Sequence, residues 1–252
     1  MMLLPIISEE FNGVIWRIVI DALTGTIFVE VRNEQDKTVT FSALNPECAV
    51  VYFKQLVTDE RWLTGIEAAY DGVLLLHYFQ TESDPTHKGL LAIEAAEGKT
   101  LWSNYNYAFD HLTAHGPVVY DTRLQPRKLF LADIKTGATQ SRYESSIHKE
   151  LVSEILLPGM VDPNSLPDNL LRQKPFGNMV HYLDYNNFRI VSLHASNAGQ
   201  LTQSVFIFSE GELVYEDLLN QNIKKIQPEA FMMHKNQLIY IKNKAELKVL
   251  SL

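Results

Sequence analysis

Short runs rich in Val, Ile, Phe, Tyr and Thr recur along the chain, and Gly, Asn or Asp interrupts them at short, regular intervals. This is the pattern of β-strands, in which every second side chain faces a core and turn-forming residues end each run. The clearest runs are Val14 to Ile20, Thr26 to Val31, Thr38 to Ala43, Ala49 to Phe53, Val73 to Phe79, Leu129 to Asp133, Val205 to Phe208 and Leu238 to Ile241. Glu246 to Leu252 reads as a last strand, positioned to pair with one at the amino end. Helical periodicity is scarce. Its best instance is Ile147 to Leu156, where Ile147, Leu151 and Ile155 share one helical face and Ser146 is placed to cap; an outer strand with a short turn is the alternative. From Pro158 to Asn178 four prolines crowd together with Gly159, Asp162, Asn164, Asp168 and Gly177. Proline removes a ladder donor and fixes φ, so this reads as a loop insertion, at about 157–178, within a single domain spanning 1–252.

One hairpin repeats. An apolar strand ends in an acidic residue, a short turn closes on Gly, and a second strand follows. It occurs at Ile20 to Val29 (Asp21, Gly25), Ala92 to Trp102 (Glu94, Gly98) and Leu131 to Gly137 (Asp133), with shortened versions at Phe208 to Leu213 and Ile241 to Glu246. The chemistry assigns these carboxylates to turns: each is placed to accept backbone N–H groups of its own turn, while Gly takes the positive φ that a bulged hairpin needs. The spacing fits either a unit of about 40 residues with degenerate copies or five units of about 50. Both predict an all-β, propeller or propeller-like fold of about five four-stranded blades, with six or seven if degenerate units count.

The second copy resembles the repeat of quinoprotein-type (pyrroloquinoline-quinone-like) β-propellers, Ala-x-Asp-x-x-Thr-Gly-Lys-x-x-Trp, from Ala92 through Trp102, with Glu94 and Glu97 replacing the Asp and Thr. Thr24-Gly25 and Thr136-Gly137 restore the Thr-Gly pair in the other copies, where Val29 and Ser141 stand at the tryptophan position. The resemblance implies a propeller in which Trp102 docks against a neighbouring blade. Enzymes of that family carry a vicinal disulfide, which the single Cys48 cannot form. The chain is also similar to small bacterial propeller-like families without an assigned activity.

Composition narrows the function. Of 252 residues, 22 are Lys or Arg and 30 Asp or Glu, a net charge of −8, which disfavours nucleic acid and anionic membranes as partners because both need clustered cations. The amino end has no basic region or cleavage site of a secretory signal, and a cytoplasmic chain is the expectation. Phosphate-binding glycine loops and the Gly-x-Ser-x-Gly elbow are absent, and no cofactor is expected. Among eight histidines only His111 and His115 lie close in sequence, with Asp110 before them and Asp121 and Arg123 after. His111, His115, Asp121 and Arg123 are the candidate ligand-binding residues. No metal set is assigned, since residues four apart on a strand are about 13 Å apart. His77, in an apolar strand, reads as a buried structural histidine with a hydrogen-bond partner, with a channel-lining side chain as the alternative, and His194 lies in a similar pattern near a strand end. The aromatic stretches Trp102 to Phe109 and His181 to Phe188 suit either packing or a binding face. The expected function is a non-enzymatic module binding an unidentified protein or small molecule, through loops at one end or the proline-rich insertion. The alternative is a hydrolase or lyase with its site at the mouth of a central channel.

Overall fold

A computed structural model describes residues 2–197 and 199–252. Strand β1 (Ile7–Glu10) precedes a four-stranded antiparallel sheet of β2 (Val14–Ile20), β3 (Ile27–Asn33), β4 (Thr38–Asn45) and β5 (Val50–Leu56). A second such sheet contains β6 (Thr64–Tyr70), β7 (Val73–Thr81), β8 (Asp84–Glu94) and β9 (Thr100–Asn104). The third contains β10 (Tyr107–Thr113), β11 (Gly116–Asp121), β12 (Leu129–Ala132) and β13 (Thr139–Arg142). After β14 (Ile155–Leu156), strands β15 (Gly159–Val161), β16 (Val180–Tyr185), β17 (Phe188–Asn197), β18 (Gln200–Ser209) and β19 (Glu212–Ile223) make a fourth sheet. In the fifth sheet β20 (Met232–His234), β21 (Gln237–Lys242) and β22 (Glu246–Ser251) lie between β14 and β1. The protein is therefore all-β, with five successive antiparallel sheets of four or five strands, the propeller-like organisation that the hairpin repeat predicts.

These sheets fall into two compact units. Phe11–Ser153 holds the first three, and Met1–Glu10 with Glu154–Leu252 holds the other two. Within the first unit β7 is apolar on both faces: Leu74 and Leu76 pack with Phe28, Phe41 and Ile66 on one side, Val73 and Leu75 with Leu90 and Val119 on the other. Burial on both faces is why Val73 to Phe79 reads as a nearly continuous apolar run instead of alternating. In the second unit β1 pairs with β22, Ile7 opposite Val249, as the strand-like character of both ends predicts.

The expected turn chemistry holds in two of the three full copies: the Asp21 carboxylate accepts the Leu23 N–H at 3.0 Å and Asp133 does the same in its turn, whereas among the described residues the Glu94 side chain accepts no N–H of its turn. In each of the three full copies the glycine N–H donates to the backbone carbonyl of the acidic residue: Gly25 to Asp21, Gly98 to Glu94 and Gly137 to Asp133, at 2.8, 2.9 and 2.8 Å. The Asp133 carboxylate also accepts the N–H groups of Lys135 and Thr136, chiefly the latter, which holds its pKa below the ordinary value. The phase of the repeat differs from the sequence reading. Glu94 and Asp133 join the third and fourth strands of their sheets, whereas Asp21 joins β2 to β3. The positional counterpart in the first sheet runs from Ala43 to Phe53, with Asn45 in place of the acid and Ala49 at φ +54° in place of Gly. Asn45 Oδ1 accepts the Glu47 N–H there, so an amide performs the carboxylate's task.

Trp102 docks as the resemblance implies. Its Nε1 donates to the Ile134 carbonyl at 2.7 Å, and its ring covers Gly137 so closely that a Cβ there would lie 2.6 Å from the indole. Phe53 occupies the same place one sheet earlier, facing Gly98. Sequence similarity missed this copy because Phe replaces Trp.

Two segments complete the comparison. The helix expected over Ile147 to Leu156 does not form; Glu150 makes an isolated bridge to Thr113, and Ile155–Leu156 is β14. Of the predicted face Ile147 is 58% exposed and Leu151 and Ile155 are only partly buried, so the spacing is not matched by a shared core contact. The proline-rich segment provides only the edge strand β15 and two 3₁₀ turns, Pro163–Ser165 and Asp168–Leu170. Leu170 anchors it by burial among Val180, Val191 and Phe206.

Candidate functional site

The first strand of each of the first three sheets carries one extra residue that its partner strand does not match. These bulged residues are Trp16 in β2, Glu67 in β6 and Asp110 in β10. A bulge frees a side chain from the ladder's alternation and re-aims it, which is why bulges collect beside functional sites.

At Glu67 the result is a cluster. His77 on β7 and His87 on β8 bring their Nδ1 atoms to the same carboxylate oxygen, Glu67 Oε2, at 3.0 and 2.8 Å. The two imidazoles stack at 3.6 Å, 5° from parallel, and Phe79 meets both edge-on. His77 is 3% exposed and His87 partly exposed. A second register shift, between His77 and Phe79, lies where β8 pairs with β7 and includes Gly89 at φ +83°. It brings His87 opposite Phe79 and next to the His77 ring.

Electrostatics suit an ionised carboxylate. Burial acts to raise the Glu67 pKa, but its contacts with His77 and His87 outweigh burial and hold the carboxyl below its ordinary value. The His77 contact is close enough for ion pairing yet misaligned as a hydrogen bond. Nε2 of His77 also lacks a hydrogen-bond partner among the described residues. Gly65 leaves room for this ring, since a Cβ there would stand 3.0 Å from Nε2. This corrects the expectation that His77 is a satisfied core histidine. His194 does meet that expectation, its Nε2 accepting the Gln227 N–H at 3.0 Å.

Beside the cluster lies a stack of aromatic and cationic groups. Arg32 is held by Glu30, Nε to Oε1 at 2.7 Å, and by the Thr64 carbonyl at 3.0 Å. Glu30 is itself buried and accepts the Ile66 N–H. The guanidinium lies 5.6 Å from the Trp16 ring, 5.3 Å from Trp62 and 6.0 Å from Phe79, and Lys37 covers Trp62 at 4.7 Å. Trp16, re-aimed by its bulge, is 66% exposed.

The residues singled out in the sequence are placed otherwise. Asp121 and Arg123 form a local surface pair, with the guanidinium lowering the Asp121 pKa to about 2. His111 Nδ1 meets Asp110 at 2.6 Å, and Asp110 also pairs with Arg127. His111 and His115 are linked through a chain of ring contacts: His111 to Tyr143, Tyr143 to His148, and His148 to His115. Asp121 and Arg123 have no part in that chain. A separate cleft of about 330 Å³ among the turns, lined by Thr24, Tyr52, Asp71, Glu94 and Lys135, has neither stacked rings nor imidazoles.

Residues 20–102 match the description of a domain of unknown function, DUF4905. That stretch contains Glu67, His77, His87, Arg32 and Trp62, and ends at Trp102. No curated protein matches the sequence. Among solved structures, Chaetomium thermophilum Raptor is similar at 10% identity and a TM-score of 0.29, over 98% of this chain and 28% of that one. BBS1N, in a complex with ARL6DN soaked with mercury, is similar at 13% identity and a TM-score of 0.25, over 94% of this chain and 64% of the other. The chain thus spans less than two thirds of either. No described helix is long and apolar enough to cross a membrane.

Proposed function

We propose that the protein is a non-enzymatic binding module that takes a small aromatic anion, such as an aryl carboxylate or aryl phosphate, against Trp16 and Arg32. The observation that supports this is an exposed indole at a strand bulge beside a guanidinium already fixed by Glu30 and Thr64. A fixed cation loses little side-chain entropy on binding, and an indole offers a flat apolar face. Lys37 over Trp62 adds positive charge to the same neighbourhood. The hydrolase reading draws on the histidines and carboxylate of the adjacent cluster. It is the weaker reading, because no hydroxyl or thiol among the described residues hydrogen-bonds either imidazole as a nucleophile would.

Saturation-transfer NMR with benzoate and phenyl phosphate tests the proposal, with benzyl alcohol as the neutral control. The anions are expected to receive transfer and the alcohol not, and Trp16→Ala is expected to weaken binding about two- to tenfold, the size of one aromatic contact. Equal behaviour of the three probes, or indifference to Trp16→Ala, overturns it.

A further inference from the structure

We infer that Glu67, His77 and His87 form a binding site for one divalent transition-metal ion of the zinc or cobalt class. The inference goes beyond anion binding at Trp16 and does not depend on it. Three donor atoms, two imidazole nitrogens and one carboxylate oxygen, come from three adjacent strands and lie within 4.8 Å of one another. Such a set suits zinc, cobalt, nickel or iron; calcium and magnesium prefer all-oxygen shells.

The second observation is the state of His77. An imidazole that is 3% exposed and whose Nδ1, 3.0 Å from the carboxylate, makes no aligned hydrogen bond is costly to keep unless something else satisfies that nitrogen, as an ion bound at Nδ1 would. A purely structural ion pair needs only one histidine on the carboxylate. Here two share a single oxygen, although the other carboxylate oxygen takes no hydrogen bond from either ring.

The fit also specifies what has to move. Tetrahedral bonds of about 2.0–2.1 Å separate neighbouring donors by about 3.3 Å. The donors at 2.8 and 3.0 Å therefore spread by a few tenths of an ångström. A metal lies in the plane of each imidazole it binds, so two parallel rings at 3.6 Å cannot both address one ion. One ring must turn. His87, the more exposed and adjacent to the register shift, is the ring to do so, giving up its stacking on His77, which is almost wholly buried. Three protein ligands leave a fourth position open, so the bound ion offers a coordination site to an exogenous ligand, as open zinc sites do.

Chelator-stripped protein is dialysed against zinc or cobalt, and metal content is read by elemental analysis. The Co²⁺ absorption spectrum reports ligand geometry on the same sample. The expected result is one metal per chain with the intense visible bands of a four-coordinate site. His87→Ala and Glu67→Gln are each expected to weaken binding at least about tenfold. Both positions are less buried than His77, and circular dichroism checks that the variants are folded. Substoichiometric loading of wild type, a spectrum of hexa-aquo cobalt, or equal loading of folded variants overturns the site. Trp16→Ala is expected to load metal normally. If anion binding fails while metal loads, only the proposed function falls; if metal fails while anions bind, only this inference does.

Discussion

His77 and His194 are each 3% exposed, yet they meet burial in different ways. His194 accepts a backbone N–H from Gln227, and its carbonyl accepts the N–H of Phe176, so it ties two loop segments to β17. Burial, with the nearby His181 adding to it, lowers its pKa below the ordinary value of 6.5. An unfolded chain therefore protonates this residue at a higher pH than the folded one. The stabilisation is complete above about pH 6.5 and is lost as pH falls toward the folded-state value. His194→Gln keeps an acceptor and removes the titration. Between pH 7.5 and 5.5 the thermal midpoint of wild type is expected to fall more than that of this variant, and scanning calorimetry reads the difference. Parallel midpoints in the two proteins would mean that the Gln227 contact contributes nothing to the pH dependence. At this scale the burial of both histidines was legible in their apolar strands, but which one finds a hydrogen-bond partner was not, because the partners come from residues distant in sequence. Glu67 was not legible: nothing in Ile66-Glu67-Ala68 marks a bulge, and the even succession of Glu67, His77 and His87 along the chain acquires meaning only once the hairpin register is known.

The interlock between a turn and the preceding sheet is the element-scale device. Gly137 and Gly72 sit at similar angles, φ +72° and +76°, but only Gly137 is covered by Trp102; nothing lies within 4 Å of a Cβ at Gly72. Gly72→Ala should therefore cost about 1 kcal/mol, the strain of a left-handed alanine. Gly137→Ala adds displacement of the indole and should cost about 2–4 kcal/mol. Urea unfolding of both variants measures the gap, and equal midpoints would remove Trp102 docking from the account. Turn chemistry made the Glu94 and Asp133 hairpins readable, since an acidic residue followed by glycine four positions on is the commonest way to meet the backbone's need for a positive φ. The copy at Ala43 to Phe53 escaped because Asn, Ala and Phe meet the same requirements with different residues. The Ile147 to Leu156 periodicity misled for the opposite reason. Spacing predicts a face, and no shared core contact matches it.

On the scale of the whole chain, the second unit is assembled from segments at both ends of the sequence. Four residues of β1 cover the edge of β22, Ile6 N–H bonds to the Val249 carbonyl, and Ser8 donates to Glu246. Removing residues 1–10 leaves β22 with an unpaired ladder edge, a template for association with other chains. The truncated protein is expected to elute as oligomers or aggregate where the full chain does not. Size-exclusion chromatography at several concentrations decides this, and a monodisperse truncated species at the full chain's oligomeric state would show that β1 is dispensable. A propeller-like array of about five sheets was readable from the repeat, though six or seven stayed open, whereas the grouping into two units was not, because contacts between sheets depend on side chains that periodicity does not order.

The bulges at Trp16, Glu67 and Asp110 have a consequence for how such a chain diversifies. A residue outside the ladder has no partner directly opposite it on the neighbouring strand, so a change of its side chain breaks no cross-strand pair. The three positions behave as sockets in a fixed board, holding an indole in the first sheet, a carboxylate facing two imidazoles in the second, and a carboxylate between His111 and Arg127 in the third. Side chains at these three positions are therefore open to exchange without disturbing the paired residues of the strands that present them.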